Sequence, residues 1–570
     1  MRLLLLLLAV LAFAAGRRLK EHHHHEEKER LYTMCENEHG EMYYFKQKHH
    51  GHDKYCHKKI AKVQYVNKIN ETGWAFVEGE IADEEIPFHQ QGYAMGFLEG
   101  RASRDLIEMH IKNTVDGYCD GAEDYCKELN AYLLKNLIWM REEIENNYED
   151  EYWQQVNLTL NQLFGMIDGY EGNLNQNLAP KDLVAHPVFL IQLAGDLEDL
   201  QSKFHKPENP KRMKTGRGHC SALVKMLPGD EDLLFSHVTW SSYSTLLRLQ
   251  KKYAFNTGDP GHTIAFSGYP GGISSVDDFV VTSARLAILE TTIGNYNESL
   301  YRYMSPHSIL TWIRSQIAHR TSSSGLQWAM EFSKLNSGTY NNQWVVVDYK
   351  KFRRGRREFH GDGLIHVVEQ MPRRMVQADM TKKLLEETYW PGYNSPYFKQ
   401  IFKWSNAQKM VDKYGEWFTY EKTPRALIFK RDHSSVKCMD TMIRLMRSNN
   451  YTQDPLSRCD CNPPYSAENA ISCRSDLNPG NGTYPFESLG FRDHAATDVK
   501  VTNSRLIDKL QFTAIAGPTH DPTPVFDWNT APFKNKVPHF GQPQRWEFKP
   551  VTHAWSPRGL FPMEAEVIEL

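Results

Sequence analysis

The sequence predicts an α+β protein, and three observations support that class. The chain has 570 residues, 41% of them hydrophobic, including 13 Trp, 28 Tyr and 27 Phe, so it can bury a large core. From about residue 100 to residue 204 the apolar residues follow a helical period. Beyond residue 220 the pattern changes to short strands bounded by turns. We therefore expect a helix-rich part followed by a sheet-rich part.

The charge balance bears on the partners. With 67 basic and 70 acidic side chains the formal net charge is -3, which gives no electrostatic footprint for nucleic acid. We expect no nucleic-acid partner.

The N-terminus has the pattern of a secretory signal peptide, which we assign to residues 1–14. Met1 and Arg2 precede an apolar run that ends in Ala-x-Ala, and no later run is long enough to span a bilayer. We expect a soluble protein in the lysosome lumen or outside the cell. Five glycosylation sequons agree with that route, at Asn70, Asn157, Asn297, Asn450 and Asn481.

The first half of the mature chain is predicted to be helical and to end in a linker. His22 to His25 belong to a polar arm, for which zinc binding is the less favoured alternative. Asp124 to Glu145 has the spacing of an amphipathic helix, with apolar residues at 129, 133, 137 and 140. The basic segment from Lys206 to His219, rich in Pro and Gly, predicts a protease-sensitive linker. It divides the chain into fragments 15–219 and 220–570, which we expect to form one composite domain.

The part after the linker opens with a predicted β-hairpin. Its strands cover residues 220–227 and 231–237, and the turn covers 228–230. A turn centred on the Pro228–Gly229 bond would place Cys220 directly opposite His237, about 5 Å apart at Cβ. Further strands are predicted at 263–266, 278–291 and after the turn in 337–349.

Nine cysteines are an odd number for an oxidising compartment. Cys119 and Cys126 are close enough to bridge a short loop, and Cys35 could pair with Cys56. The other disulfide candidates crowd one segment: Cys459, Cys461 and Cys473. Cys220 and Cys438 stand apart, and Cys220 is expected to be unpaired.

Cys220 is the strongest candidate for catalysis. The sequence has no Gly-x-Ser-x-Gly, no His-Glu-x-x-His and no phosphate-binding loop. A cysteine that opens a strand after a cleavable linker suggests a nucleophile that becomes a new N-terminus. Its freed α-amine, with a pKa of about 7.7 to 8.0, would serve as the base for its own thiol. The alternative is an ordinary buried thiol. We expect no cofactor and no metal.

Several long motifs, taken in order, resemble the phospholipase B-like family, and most closely its lysosomal, domain-containing-two type. They lie at 218–225, 234–240, 269–271, 277–279, 289–292, 336–344 and 475–479. The resemblance covers essentially the whole chain after the signal peptide. It implies a four-layer αββα sandwich of the N-terminal-nucleophile hydrolase type. It also implies a precursor cut between His219 and Cys220, where the bulky His219 leaves cleavage by another protease as an alternative route.

The same resemblance implies a set of site residues: Cys220, His237, Trp240, Thr291, Asn394 and Arg425. Thr292 and the pair Asn341-Asn342 are second choices. The amide of Asn394 is expected to donate to an oxyanion, and Arg425 to hold a carboxylate or phosphate. A cation, either the new ammonium or His237, is expected to favour the Cys220 thiolate.

The expected activity is acyl hydrolysis, with phospholipid deacylation implied by the family name. Hydrolysis of non-peptide amide bonds and lipid binding without turnover are the alternatives. The expected partners are a lipid or small acylated substrate and the two associated fragments, and a homodimer is left open.

Overall fold

A computed structural model describes residues 29–47, 56–175, 178–207 and 219–561. The signal peptide, the four histidines from His22 to His25 and linker residues 208–218 lie outside those ranges. In the part of the chain that is described, no helix is both long and apolar enough to cross a membrane.

The helices before the linker include the one predicted around residues 124–145. They are α1 (Ile69–Thr72), α2 (Phe88–Ala102), α3 (Arg104–Thr114), α4 (Glu123–Asn146), α5 (Glu151–Glu171), α6 (Pro180–Val184), α7 (Pro187–Gln192) and α8 (Asp196–Lys203). Those after the linker have between 6 and 11 residues. They are α9 (Thr311–Thr321), α10 (Gly325–Ser333), α11 (Thr381–Glu387), α12 (Lys399–Trp404), α13 (Gln408–Tyr414), α14 (Pro424–Asp432) and α15 (Met439–Met446).

Strands occur on both sides of the linker. Before it lie β1 (Glu29–Glu36), β2 (Met42–Lys46), β3 (Lys58–Lys68) and β4 (Trp74–Ile81). After it the first group comprises β5 (His219–Met226), β6 (Leu233–Ser242), β7 (Arg248–Ala254), β8 (Thr263–Gly268), β9 (Phe279–Thr282), β10 (Leu286–Thr292), β11 (Asn342–Asp348), β12 (Ile365–Met371), β13 (Arg374–Asp379) and β14 (Tyr389–Gly392). The last group comprises β15 (His494–Ala496), β16 (Asp498–Thr502), β17 (Thr513–Ala516), β18 (Phe526–Asp527), β19 (Arg545–Trp546) and β20 (Val551–Thr552).

Two large sheets organise the molecule. The first has eleven strands in the order β13-β12-β11-β10-β9-β8-β7-β4-β3-β1-β2. Its strands pair antiparallel except at the parallel junction of β4 with β7, where chain from before the linker meets chain from after it. The second sheet has seven strands in the order β14-β5-β6-β16-β17-β20, with β15 also paired to β6.

The two sheets face each other across a shared apolar core. Side chains such as Val281, Leu289 and Val345 of the first sheet belong to the same buried cluster as Val224 and Phe235 of the second. Burial on this scale is the main stabilising contribution to such a fold. Ala222, Val224 and Met226 of β5 lie on this inner face, and the same alternation places Cys220, the second residue of β5, on it.

Helices cover the outer faces of both sheets. Phe97 of α2 belongs to one cluster with Val63 of the first sheet. Phe429 of α14 and Met442 of α15 belong to another with Leu223 of the second sheet. The α+β class predicted from the sequence is confirmed.

Helices α2 and α5 approach each other closely because glycines line their contact. A Cβ atom placed on Gly96 would lie 1.9 Å from the carbonyl oxygen of Gln162, and one on Gly165 would lie 2.1 Å from that of Tyr93. Real side chains do not tolerate such separations, so only glycine allows this backbone contact. Asp150 begins α5 by accepting a hydrogen bond from the N–H of Trp153.

Two expectations about secondary structure were incomplete. The four strands β1 to β4 precede the helical region, so the first fragment also contributes to a sheet. The strand expected over 278–291 is two strands, β9 and β10, because the chain turns at Ser283–Arg285, where Arg285 has φ 58°. The hairpin of β5 with β6 and the strand β11 formed as expected.

Three disulfides join Cys35 to Cys56, Cys119 to Cys126 and Cys459 to Cys461. Cys473 was wrongly included among the disulfide candidates. It is a buried free thiol whose Sγ lies 3.7 Å from Nδ1 of His494. Cys459 and Cys461 form a disulfide across a single intervening residue, so neither of them is available to pair with Cys473. Cys220 is also free, as expected.

Candidate active site

Cys220 lies at the start of β5 on a cleft of about 1720 Å³. Only 3% of the residue is exposed. The same cleft is lined by Thr239, Asn394 and Arg425, three side chains that come from widely separated parts of the chain. The fold therefore brings the candidate nucleophile together with three of the expected site residues, Trp240, Asn394 and Arg425.

The register of the hairpin differs from the one expected. Thr239, not His237, lies opposite Cys220, and His237 lies opposite Ala222. The loop between the strands has its centre at the Gly229–Asp230 bond, one residue later than expected, because Leu233 rather than Glu231 begins β6. A shift of two positions keeps Cys220 and His237 on the same face of the sheet.

Asn394 and Arg425 hold the main chain of Cys220. The Cys220 N–H donates to Oδ1 of Asn394 at 2.9 Å, and Nη1 of Arg425 donates to the Cys220 carbonyl at 2.6 Å. Arg425 Nη1 also donates to Oδ1 of Asn394 at 2.9 Å. The amide group of Asn394 donates to the carbonyl of Thr292 instead of pointing at an oxyanion position. The observed contacts orient the nitrogen and carbonyl of the nucleophile.

Trp240 supports Arg425. The guanidinium carbon lies 4.4 Å from the centre of the Trp240 ring, a cation–π contact inside the protein. Burial lowers the pKa of Arg425 to about 10, so the side chain stays charged at physiological pH. The guanidinium already donates to Cys220, Asn394 and Tyr393, so it is bound within the protein rather than directed at a substrate phosphate.

His237 is neutral. It is fully buried, its Nε2 donates to the carbonyl of Glu290 at 2.9 Å, and its Nδ1 has no hydrogen-bond partner among the described residues. Burial, with the nearby cation of Lys500, holds the pKa of His237 well below its usual value. The expectation that His237 serves as a cation for the thiolate is therefore corrected.

Thr291 lies behind the cleft rather than on it. It is buried on β10 opposite Gln343. A Cβ on Gly392 would lie 3.0 Å from Cγ2 of Thr291 and 3.1 Å from Cβ of Ala222, so Thr291 packs beside the nucleophile strand. Its neighbour Thr292 lines the cleft and accepts the amide of Asn394.

A buried ionic cluster beside Thr239 was missed by the sequence analysis. Lys500 donates to the Thr239 hydroxyl at 2.6 Å and lies 2.9 Å from Asp498. Arg248 contacts both Asp498 and Asp277. Opposite charges offset the cost of burying each other. No local motif marks these residues, since the fold assembles them from four separate segments.

Two buried carboxyl groups also lie beside the nucleophile. One oxygen of Asp278, one of Glu290 and Sγ of Cys220 all lie within 4.8 Å of one another. The hydroxyl of Tyr340 is hydrogen-bonded to both carboxyl groups. All three residues fall inside motifs that carry the family resemblance, yet the chemistry of the cluster was not recognised from the sequence.

Within the described ranges, two groups of side chains have spacings that suit a metal ion: Cys220 with Asp278 and Glu290, and Glu468 with Cys473 and His494. In the second set Arg492 lies 2.9 Å from Glu468, so a cation already neutralises that carboxylate.

In the uncut chain Cys220 is a neutral thiol. Burial, followed by the negative charge on the neighbouring carboxyl groups of Glu290 and Asp278, raises its pKa well above the ordinary value. A new positive charge beside the sulfur is therefore needed before the thiolate becomes abundant.

Comparisons with known proteins identify the family. The Phospholipase B family model matches residues 61–553. A Caenorhabditis elegans protein named phospholipase B-like 1 is 62% identical over 531 residues, 93% of each chain. The human phospholipase B-like 2 is 45% identical over 514 residues, 87% of this chain and 86% of that one. A Dictyostelium discoideum phospholipase B-like protein C is 34% identical over 521 residues, 88% of each chain. This chain therefore belongs to the phospholipase B family.

Proposed function

We propose that the protein is an acyl hydrolase whose nucleophile is Cys220, exposed as a new N-terminus by a cut after His219. The observation that carries this proposal is the hydrogen bond from the Cys220 N–H to Oδ1 of Asn394 at 2.9 Å. The nitrogen that would become the α-amine is thus already held beside its own thiol, with the Cys220 carbonyl fixed by Arg425. Such pre-organisation is what covalent catalysis requires.

The arrangement of the sheets supports a sandwich of the N-terminal-nucleophile hydrolase type. Cys220 opens a strand in one of two facing sheets, and helices cover both outer faces. The nucleophile lies on the inner face, at the N-terminal end of β5, where the cleft begins. A cut before Cys220 would place the new terminus directly on the cleft.

Cleavage would also supply the missing cation. A free α-amine with a pKa of about 7.7 to 8.0 is protonated in an acidic compartment. Its ammonium would offset the raised pKa of Cys220 and favour a thiolate, which attacks the acyl carbonyl of the substrate. In the uncut chain the same nitrogen is an amide and carries no charge. Cutting therefore switches the nucleophile on.

The family name points to a phospholipid as the acyl substrate, in the lysosome or outside the cell. The signal-peptide pattern of residues 1–14 supports entry into the secretory route. The sequon residues Asn70, Asn450 and Asn481 are exposed, and Asn157 and Asn297 are partly exposed. All five are retained as glycosylation sites in this proposal.

The test compares Cys220→Ala with Cys438→Ala, since Cys438 is an exposed free thiol in the same chain. Both proteins are incubated with phosphatidylcholine vesicles and, separately, with an N-acyl amide, and released fatty acid is measured. We expect Cys438→Ala to keep the wild-type rate and Cys220→Ala to release none. Equal fatty-acid release by the two variants would contradict the proposal. Vesicle binding without release by wild type would favour the lipid-binding alternative.

A further inference from the structure

The carboxyl groups of Asp278 and Glu290 must hold at least one proton between them. The hydroxyl of Tyr340 is hydrogen-bonded to Oδ2 of Asp278 and, at 2.7 Å, to Oε1 of Glu290. A tyrosine hydroxyl has a single hydrogen, so it can donate to only one of the two oxygens. The other carboxyl group has to donate to the hydroxyl or to its neighbour, and only a carboxylic acid can do so.

Burial gives the same result. Asp278 is 2% exposed and Glu290 is fully buried, so burial disfavours a resting state in which both adjacent carboxylates are charged. Burial raises the pKa of Asp278 to about 6, and burial with the neighbouring Asp278 raises that of Glu290 well above its usual value. The pair titrates as a unit, so its proton belongs to both residues.

The pair is placed where a proton is needed. One oxygen of each carboxyl group lies within 4.8 Å of Cys220 Sγ, and Asp278 lines the cleft. Among the described residues, Oδ1 of Asp278 and Oε2 of Glu290 are buried and accept from no N–H or hydroxyl donor, and the two carboxyl groups are hydrogen-bonded to each other instead. Two carboxyl groups can share a hydrogen bond only when one of them carries a proton. Asp278 also has φ 59°, a left-handed backbone that aims its side chain from a tight turn.

We infer that the Asp278–Glu290 pair is the general acid that protonates the leaving group of the acyl substrate, with Asp278 as the residue that contacts it. The inference rests on the proposed function, since it concerns the group expelled when Cys220 is acylated. Two other candidates near the cleft are less suitable. His237 is neutral with its Nε2 already donating to a carbonyl, and Lys500 is held by oxygen atoms of Thr239, Asp277 and Asp498.

The proton balance closes over one turnover. The Cys220 thiolate forms the S–C bond, the bond from the acyl carbon to the leaving oxygen or nitrogen breaks, and that atom takes the electron pair and the proton of the pair. Water then attacks the thioester and gives one proton back to the pair, and the thiolate leaves. The net reaction consumes one water and yields a fatty acid and an alcohol or amine. The α-ammonium keeps its charge throughout and serves only to stabilise the thiolate.

The pH dependence follows from the groups around the pair. The titratable and charged side chains that influence or contact it include Cys220, His237, Tyr340, Lys500, Arg248, Glu198 and Tyr269. Because the pair acts as an acid, activity on a poor leaving group is present while the pair holds a proton. It is lost as the pH rises and that proton leaves.

The test uses two ester substrates with the same acyl chain, a p-nitrophenyl ester and a simple alkyl ester. A p-nitrophenolate can leave without being protonated, whereas an alkoxide must be protonated as it leaves. For Asp278→Asn and Glu290→Gln we expect kcat/KM for the alkyl ester to fall about 100-fold while the aryl rate changes by less than about threefold. The matched control is Glu231→Gln, an exposed carboxylate in the β5–β6 loop, which should change neither rate.

The outcomes separate this inference from the proposed function. Equal losses on both esters, with the cut protein folded, would overturn the role of the pair and leave Cys220 as the nucleophile. No acylation of Cys220 by the aryl ester in wild type would instead overturn the proposed function. If either variant is not cleaved, the role of the pair is tested on the wild-type enzyme alone. Its alkyl-ester rate should fall about twofold in heavy water and its aryl rate should not, and an unchanged alkyl rate would exclude the pair as acid.

Discussion

Asn394 performs two tasks that few residue types could combine. Its φ of 65° lies in the left-handed region, which Asn tolerates better than most residues. Its side chain accepts the N–H of Cys220 and the guanidinium of Arg425, and donates to Thr292. Backbone conformation and side-chain contacts therefore both depend on this one position.

The two tasks can be separated by substitution. Asn394→Gly and Asn394→Ala both remove the hydrogen bonds, but only alanine must also adopt a left-handed backbone. We expect Asn394→Ala to be less stable than Asn394→Gly by about 1 kcal/mol, measured by urea unfolding. Both variants should lose acyl-hydrolase activity to the same extent. Equal stabilities would show that the strain at this position is released elsewhere.

The thiol of Cys220 should report whether the chain has been cut. In the uncut protein, burial and the carboxyl pair raise its pKa well above the usual value, so the reactive thiolate is scarce at pH 7 and becomes abundant only at alkaline pH. In the cut form the adjacent ammonium should bring the reactive range down. A fluorescent maleimide at pH 7 should therefore label the 351-residue fragment that starts at Cys220 and spare the full-length band.

This labelling needs a Cys438→Ser background. Cys438 is exposed, and hydrogen bonds from Thr441 lower its pKa, so it would react in both forms. Both bands can be compared after native labelling of one sample and separation under denaturing conditions. Equal labelling of the two bands would mean that the cut does not activate the sulfur.

At the scale of elements, the β5–β6 hairpin shows what a sequence can predict. Alternating apolar residues on either side of Pro228-Gly229-Asp230 were sufficient to predict both strands. They were not sufficient for the register, because that depends on how many residues the loop keeps out of the ladder. Here the loop keeps six, from Leu227 to Asp232. The correct facing residue, Thr239, was therefore missed by two positions.

The contact between α2 and α5 should be intolerant of even one methyl group. Gly96→Ala would gain helix propensity but would place Cβ 1.9 Å from a backbone oxygen that cannot rotate away. We expect a net destabilisation of about 3 kcal/mol as the helices are forced apart, measured by thermal or urea unfolding. His89→Ala, at an exposed position of the same helix, is the matched control and should be nearly neutral. A stable Gly96→Ala variant would mean that the helix pair can separate at low cost.

At the scale of the whole molecule, a cut before Cys220 would divide the large sheet between two chains. Strands β1 to β4 would belong to the first fragment and seven strands to the second, joined by the parallel pair β4–β7. Each of the three disulfides lies on one side of the cut. Only noncovalent contacts would hold the fragments together.

The cut protein should therefore behave as one particle until it is denatured. We expect a single peak in native size-exclusion chromatography that contains both fragments. The same sample should give two bands on a denaturing gel without reducing agent, one of which begins at Cys220 by N-terminal sequencing. Separation of the fragments under native conditions would contradict the shared sheet, and a band that persists at full length in active protein would contradict the cut.

The limits of the sequence have a physical origin. Cys220 could be found because its chemistry depends on local features, a linker and the strand that follows it. Lys500 and Asp498 could not, since only the pairing of β16 with β6 brings them into contact with Thr239, which lines the cleft. The strands β1 to β4 were missed because they join the rest of the large sheet only through the pairing of β4 with β7, which lies more than 160 residues further along the chain.

The parallel junction of β4 with β7 also means that such a protein is best encoded by a single undivided gene. Neither half carries a complete large sheet, and each would leave an unpaired strand edge if it were made alone. A gene divided at the linker could be rescued only by supplying both pieces to the same cell compartment during folding. Synthesis as one polypeptide guarantees equal amounts of the two halves, and it keeps them covalently joined until they have folded together.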